Sequence, residues 1–326
     1  MGKTKVLVFA VCAAIGAGAL QGAAMAQEKF PSKPIRMLVP FSPGSATDFL
    51  ARLVGQKMSE HWGQQVVVDN RPSAGGVIAS QLLLSAAPDG HTLMMVSIGH
   101  AVNASLYTKL PYDTVKDFAG VSFVADVPNV LIATPSLGLK SVTDLIKLAK
   151  SKPGQLNYGS AGVGSGTHMN GEEFKLAAGI DVVHVPYKGT PEAITNVISG
   201  NVQYFFAPIT ASVPMVKSGK VTGLAVTTKA RSPVLPEVPT VAETGLPGFE
   251  FNLWTGLLGP AKMPNDVKQK LAAEVARVLS LPDVKEKMLT QGATPHTMSP
   301  KEFDAFLKTE VTRLAKVVKA SGARAD

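Results

Sequence analysis

Residues 39–54 read VPFSPGSATDFLARLV, an apolar run that passes within a few positions through Pro and Gly into a helical pattern. Ile35 to Pro40 reads as a short buried strand, and Phe49, Leu50, Leu53, Val54 and Met58 at helical spacing predict a helix over 46–61. The rhythm continues with a strand over 65–68, the turn-rich Asn70 to Gly76, a helix to about 87, a Pro88-Asp89-Gly90 turn and a strand over 92–97. Strands alternating with helices at this spacing predict βαβ units and a parallel sheet.

The same pattern returns further along. Strands are expected over 129–134, 156–160, 182–186, 202–206 and 224–227, with helices over 141–151, 167–178 and 192–199 between them. A stretch rich in Pro and Gly, 232–249, reads as a surface linker, followed by a strand over 254–260 and helices over 264–280, 282–291 and 299–320. The last of these opens Ser299-Pro300-Lys301-Glu302, an N-cap with Pro at the first helical position and Glu at the third. A chain of 326 residues is long for one domain. With the C-terminal helices covering the first sheet, domain 1 spans 27–127 and 229–326, and domain 2 spans 128–228. Each domain is expected to be a mainly parallel sheet flanked by helices.

Residues 1–26 carry Lys3 and Lys5, an apolar run from Val6 to Leu20 and Ala24-Met25-Ala26 before Gln27, the pattern of a cleaved signal peptide. The single cysteine, Cys12, falls inside it, so the mature chain has no thiol for a disulfide, a nucleophile or a metal site. The formal charge of +8 falls to +6 without Lys3 and Lys5, and the remaining cations are scattered. That favours anionic ligands mildly and gives no patch for nucleic acid.

Two loops carry the chemistry. In Pro43-Gly44-Ser45-Ala46-Thr47-Asp48, Ser45 and Asp48 have the spacing of a capping box, which contributes about 0.5 to 2 kcal/mol to a helix. The same turn exposes unpaired N–H groups that attract anions. Ser141-Val142-Thr143-Asp144 has that spacing without the Pro-Gly and without an assigned function, so spacing alone leaves cap and binding site both open. The second loop, Asn157 to His168, follows a strand and opens a helix, with Gly162, Gly164 and Gly166 alternating. Two such loops in two α/β units suit a cleft beyond the carboxyl ends of the strands, each contributing half of an anion site. The second loop fits neither the dinucleotide nor the P-loop pattern, and Val163 breaks the G-x-S-x-G elbow. His61, His91, His100, His168, His184 and His296 form no i, i+4 pair, so no metal or cofactor is expected.

Val39 to Gly44 with Asp48, Asn70-Arg71-Pro72 with Ala74-Gly75-Gly76, Pro88-Asp89-Gly90, Leu110-Pro111-Tyr112-Asp113, Asn157 to Ser160, Val185 to Gly189 and Pro239 to Glu243 resemble the solute receptors of tripartite tricarboxylate transporters. These periplasmic binding proteins are often called Bug receptors, and the resemblance runs from about Phe30 to Gly322. It implies an α/β, two-domain periplasmic binding protein (Venus-flytrap) fold that closes on a small organic carboxylate, acts as a monomer without catalytic residues, and delivers its ligand to membrane permease subunits.

The resemblance also implies that both loops hold the carboxylate, partly through water. The residues concerned are Phe41, Ser42, Gly44, Ser45, Ala46, Thr47 and Asp48 in the first loop, and Ser160, Gly164, Ser165, Thr167 and His168 in the second. Ser97 to His100 with Asn103, Tyr187 to Gly189, and Ala207-Pro208 would form the walls. Ser45 stands where the family usually has a second Gly, and Ala207-Pro208 where a polar residue is common, which points to a ligand with an apolar or aromatic second end. The ligand is otherwise open among dicarboxylates, tricarboxylates and aromatic acids. Two other roles compete: a periplasmic sensor that reports ligand occupancy to a signalling protein, and an α/β hydrolase using Ser165 and His168.

Overall fold

The computed structural model describes residues 30–325; the expected signal peptide, 1–26, and Cys12 lie outside them. The first α/β unit comprises β1 (Ile35–Val39), α1 (Ala46–Trp62), β2 (Val66–Asn70), α2 (Val77–Leu84), β3 (Thr92–Ser97) and α3 (Gly99–Leu106). Strand β1 lies between β2 and β3 and runs parallel to both. The second unit follows a long strand, β4 (Phe118–Ala133), and comprises α4 (Val142–Ser151), β5 (Asn157–Ser160), α5 (Gly166–Ala178), β6 (Val183–Pro186), α6 (Thr190–Ile198), β7 (Tyr204–Pro208), α7 (Ile209–Lys217) and β8 (Thr222–Val226). Here β5 is the central strand, parallel to β6 and β7. The chain closes with α8 (Val241–Thr244), β9 (Asn252–Pro260), α9 (Asn265–Ser280), α10 (Pro282–Thr290), β10 (Thr294–Pro295) and α11 (Pro300–Ser321).

The strands are ordered β2-β1-β3-β9-β4-β7-β5-β6, with β8 and β10 also paired to β4. Strand β4 joins the halves by changing partners: Phe118 to Pro128 pairs with β9, whereas Asn129 to Ala133 pairs with β7 and β8. The sequence foresaw only the later part of β4. Its earlier part is buried almost throughout and so shows no alternation to read.

The sheet is also less parallel than expected. Strand β4 carries the chain from the first half to the second and β9 brings it back, so the two run antiparallel. The parallel trios β2-β1-β3 and β6-β5-β7 survive at either side. The return path lies against the outgoing one, with Thr227 N–H donating to Asn129 O at 3.0 Å and Phe251 N–H to Thr227 O at 3.0 Å. The stretch over 232–249 is no loose linker, because Leu235, Val238, Val241 and Phe249 are buried and α8 packs on α4 and β8.

The C-terminal helices do cover the first half. Helix α11 lies on β4 and α3, and α9 lies on β4 and α1. Ser299 forms the expected capping box with Glu302. Phe303 meets Phe123 and Trp254 edge-on, at ring-centroid distances of 6.1 and 6.0 Å. The Trp254 indole N–H donates to the buried Glu310 carboxylate at 2.8 Å, which Arg313 also binds, so the buried charge is paired. Among the described residues no helix is long and apolar enough to cross a membrane.

Gly256 on β9 is what lets Phe303 sit this close, since a Cβ there would lie 2.1 Å from the ring's Cζ. Gly256→Ala is expected to lower stability by about 1 to 3 kcal/mol through overpacking. A denaturant midpoint unchanged from wild type would contradict this packing.

Candidate functional site

The chain leaves β1, turns at Gly44 (φ 81°) and enters α1 at Ser45. The Ser45 hydroxyl accepts the Asp48 N–H at 3.2 Å, as a cap should. Asp48 does not complete the box with Ser45; its carboxylate reaches one residue further back and accepts the Gly44 N–H at 2.9 Å. It also binds Asn70 and Arg52. Burial pushes this carboxyl up, but Arg52, Gly44 and Asn70 outweigh it and hold Asp48 below the usual range. Asp48 thus braces the loop as a buried anion. The amides of Ala46 and Thr47 are left without a partner among the described residues.

The second loop repeats this construction. Gly164 (φ 76°) precedes Ser165, which caps α5 by accepting the His168 N–H at 3.2 Å. The Gly164 N–H donates to His168 Nδ1 at 3.2 Å, as the Gly44 N–H does to Asp48. The Thr167 hydroxyl accepts the Ala161 N–H at 2.9 Å. Gly166 and Thr167 then have the unpaired amides among the described residues. The shared frame is legible in sequence as Gly44-Ser45-Ala46-Thr47-Asp48 beside Gly164-Ser165-Gly166-Thr167-His168, a short internal repeat.

Because His168 Nδ1 accepts a hydrogen bond, its proton sits on Nε2, on the side of Glu172. Its ring stacks on His184 at 3.9 Å, and His184 Nε2 contacts the Ser160 hydroxyl at 2.6 Å. Burial drives His168 down to about 4 and His184 to about 3, the latter helped by its neighbours His168 and Lys175. Both rings are neutral supports for the loop. Ser165 has no hydrogen bond to the His168 ring, and Ser160 is fully buried, so neither forms an accessible serine–base pair.

Both helix starts face one narrow cavity of about 30 Å³ that is partly open to solvent. Of the residues expected from sequence, Phe41, Ser45, Ala46, Thr47, Ser97, Ser165, Thr167 and Pro208 line it. Gly44, Asp48, Ser160, Gly164 and His168 lie behind the lining as supports, and Ala207 is buried in β7 beside Pro208. Ser42 and Tyr187 lie at the mouth. The Ser42 hydroxyl donates to Lys188 O at 2.8 Å, and Tyr187 lines a wider outer groove with Pro72, Gly162 and Lys188. Of the expected walls, His100 is tied to Thr114 O and Asn103 to Gly75 O, away from this cavity.

Sequence reasoning missed Val127, Leu253, Trp254 and Thr255, which enter the lining where β4 and β9 cross between the halves. It also missed Thr190, whereas Ala161 and Gly166 fall within the second loop, Ser160 to His168, that was expected to hold the ligand. Thr190-Pro191, a proline in the first turn after Gly189, is the signal that would have placed Thr190 at the start of α6. No Lys, Arg, His, Asp or Glu is in the lining, so the attraction it has for an anion is that of the two helix starts. The turn before α2 touches the second loop, where the Gly75 N–H donates to Val163 O at 3.0 Å.

A sequence profile described as "Tripartite tricarboxylate transporter family receptor" matches residues 50–323. Protein BugT of Bordetella pertussis is 35% identical over 304 residues, 93% of this chain and 93% of that protein. The solved structure of Rpa4515 of R. palustris with adipate has a TM-score of 0.87 at 36% identity, covering 90% of this chain and 99% of that one. MatC (Rpa3494) from Rhodopseudomonas palustris with bound malate has a TM-score of 0.84 at 33% identity, covering 89% and 100%.

The buried histidines set a pH dependence. Burial lowers His100 to about 4, His168 to about 4 and His184 to about 3, against 6.5 for a free histidine. Below 6.5 the unfolded chain takes protons that the folded chain refuses, so stability falls as pH drops from about 6.5 towards 4. The loss is roughly 1 kcal/mol per pH unit for each histidine. Asp126 and Glu173, pushed up by burial, act in the opposite sense, nearer the carboxylate range. The urea midpoint is expected to be lower at pH 5 than at pH 7.5; an equal or higher midpoint at pH 5 would contradict the neutral, buried assignment.

Proposed function

The chain belongs to the tripartite tricarboxylate transporter receptor family, and from that premise we propose that it is a periplasmic solute-binding receptor that captures a small organic carboxylate and delivers it to a membrane permease. The observation that carries this reading is the set of four unpaired amides, Ala46, Thr47, Gly166 and Thr167, on two helix starts facing one cavity. A carboxylate has two oxygens with about four acceptor sites, which four N–H groups can fill. The Ser45 and Ser165 hydroxyls sit beside it, and Phe41, Ser97 and Pro208 bound the rest of the ligand.

Electrostatics supplies part of the affinity. A micromolar ligand needs about 8 kcal/mol. Each helix start contributes at most about 2 kcal/mol when partly buried. The remainder has to come from apolar burial at about 25 cal/mol per Å² and from closing both halves on the ligand at once. The first domain border, expected at 127/128, we place where β4 changes partners, between Pro128 and Asn129, and the second, expected at 228/229, where the chain returns to β9, between Phe251 and Asn252. Closure about that pair of crossings brings the loops together. Residues 1–26 serve as the export signal. No catalytic role is assigned, since neither Ser165 nor Ser160 is an accessible nucleophile beside a base.

Gly189 tests the closed mouth. Its φ of 170° suits any residue, but a Cβ there would lie 2.4 Å from the Ser42 hydroxyl oxygen on the opposite loop. Gly189→Ala is expected to fold normally and to weaken binding at least tenfold for the acid that most raises the melting temperature in a screen of mono-, di- and tricarboxylates. Wild-type affinity in Gly189→Ala would contradict the closed mouth, and a screen in which no acid raises the melting temperature would count against the receptor reading.

A further inference from the structure

Resting on the receptor reading above, we propose that the ligand is a monocarboxylate carrying an apolar body, rather than a di- or tricarboxylate. The first ground is charge. The four amides of the two helix starts meet the needs of one carboxylate, and nothing else in the lining is cationic. The charged groups nearby are committed elsewhere. Arg52 is bound to Asp48 and Asn70, Arg313 is held by Glu310 behind Trp254, and Lys188 lies in the outer groove. A second carboxylate would meet only the neutral hydroxyls of Ser97, Thr190 and Thr255, which hydrogen-bond but do not offset a buried negative charge.

The second ground is the character of the remaining wall. Phe41, Val127, Pro208, Leu253 and Trp254 present carbon to the cavity. Trp254 has already spent its indole N–H on Glu310, so it offers a ring rather than a donor. Pro208 has no N–H to offer.

The test is calorimetry and thermal shift on the full mature chain with benzoate, cyclohexanecarboxylate, adipate, malate, citrate and benzamide. At least one of the two ring monocarboxylates should bind at least tenfold more tightly than adipate, malate and citrate. Benzamide, similar in shape but uncharged, should leave the melting temperature unmoved. Adipate, malate or citrate binding within tenfold of the ring acids, or more tightly, overturns this proposal and leaves the receptor reading standing. Benzamide matching benzoate overturns the assignment of a carboxylate to the helix starts. Silence from all five acids overturns the receptor reading, and this proposal with it.

Discussion

Four backbone N–H groups on two helix starts, those of Ala46, Thr47, Gly166 and Thr167, border one cavity with no acceptor for them among the described residues. Unpaired donors held away from water are costly, and folded chains rarely leave them so. Much of the surrounding structure maintains that arrangement. Each helix has its cap serine, so the first amide of each loop able to find an internal partner has found one. Each preceding glycine turns with positive φ and donates its own N–H backwards into the helix, to Asp48 in one loop and to His168 in the other.

The two braces differ in charge while sharing a geometry. Asp48 is kept ionised by Arg52, Gly44 and Asn70, and it helps fix α1 against β2. His168 is kept neutral by burial and leans on His184, which touches Ser160 at the end of β5. The fold supplies the rest through β4 and β9. These crossing strands bring Val127, Leu253, Trp254 and Thr255 into the lining, so the polar helix starts and the apolar wall meet in the same space.

Much of this was legible in the sequence. The strand-turn-helix periods located β1, α1, β3 and α5 to within a residue or two, and Ser299-Pro300-Lys301-Glu302 marked the start of α11. The two loops were identified because glycine and cap residues have strong local chemistry. Other features were not readable for physical reasons. The first part of β4 is buried on both faces and lacks alternation, while α3 and α7 are short and weakly patterned, with Pro214 inside α7. Which loop residue faces the cavity and which supports it depends on where each side chain finds its partner, as the inward turn of Asp48 and His168 illustrates.

The central claim is that a carboxylate sits between the two helix starts, and backbone amide NMR reads it most directly. On titrating ¹⁵N-labelled protein with the best-binding acid, the amide protons of Ala46, Thr47, Gly166 and Thr167 should move downfield together and saturate at one stoichiometry. Val142 and Thr143, at the similarly capped start of α4, provide the internal control and should stay in place. Shifts confined to the outer groove around Tyr187 and Lys188, with those four amides unmoved, would contradict the account.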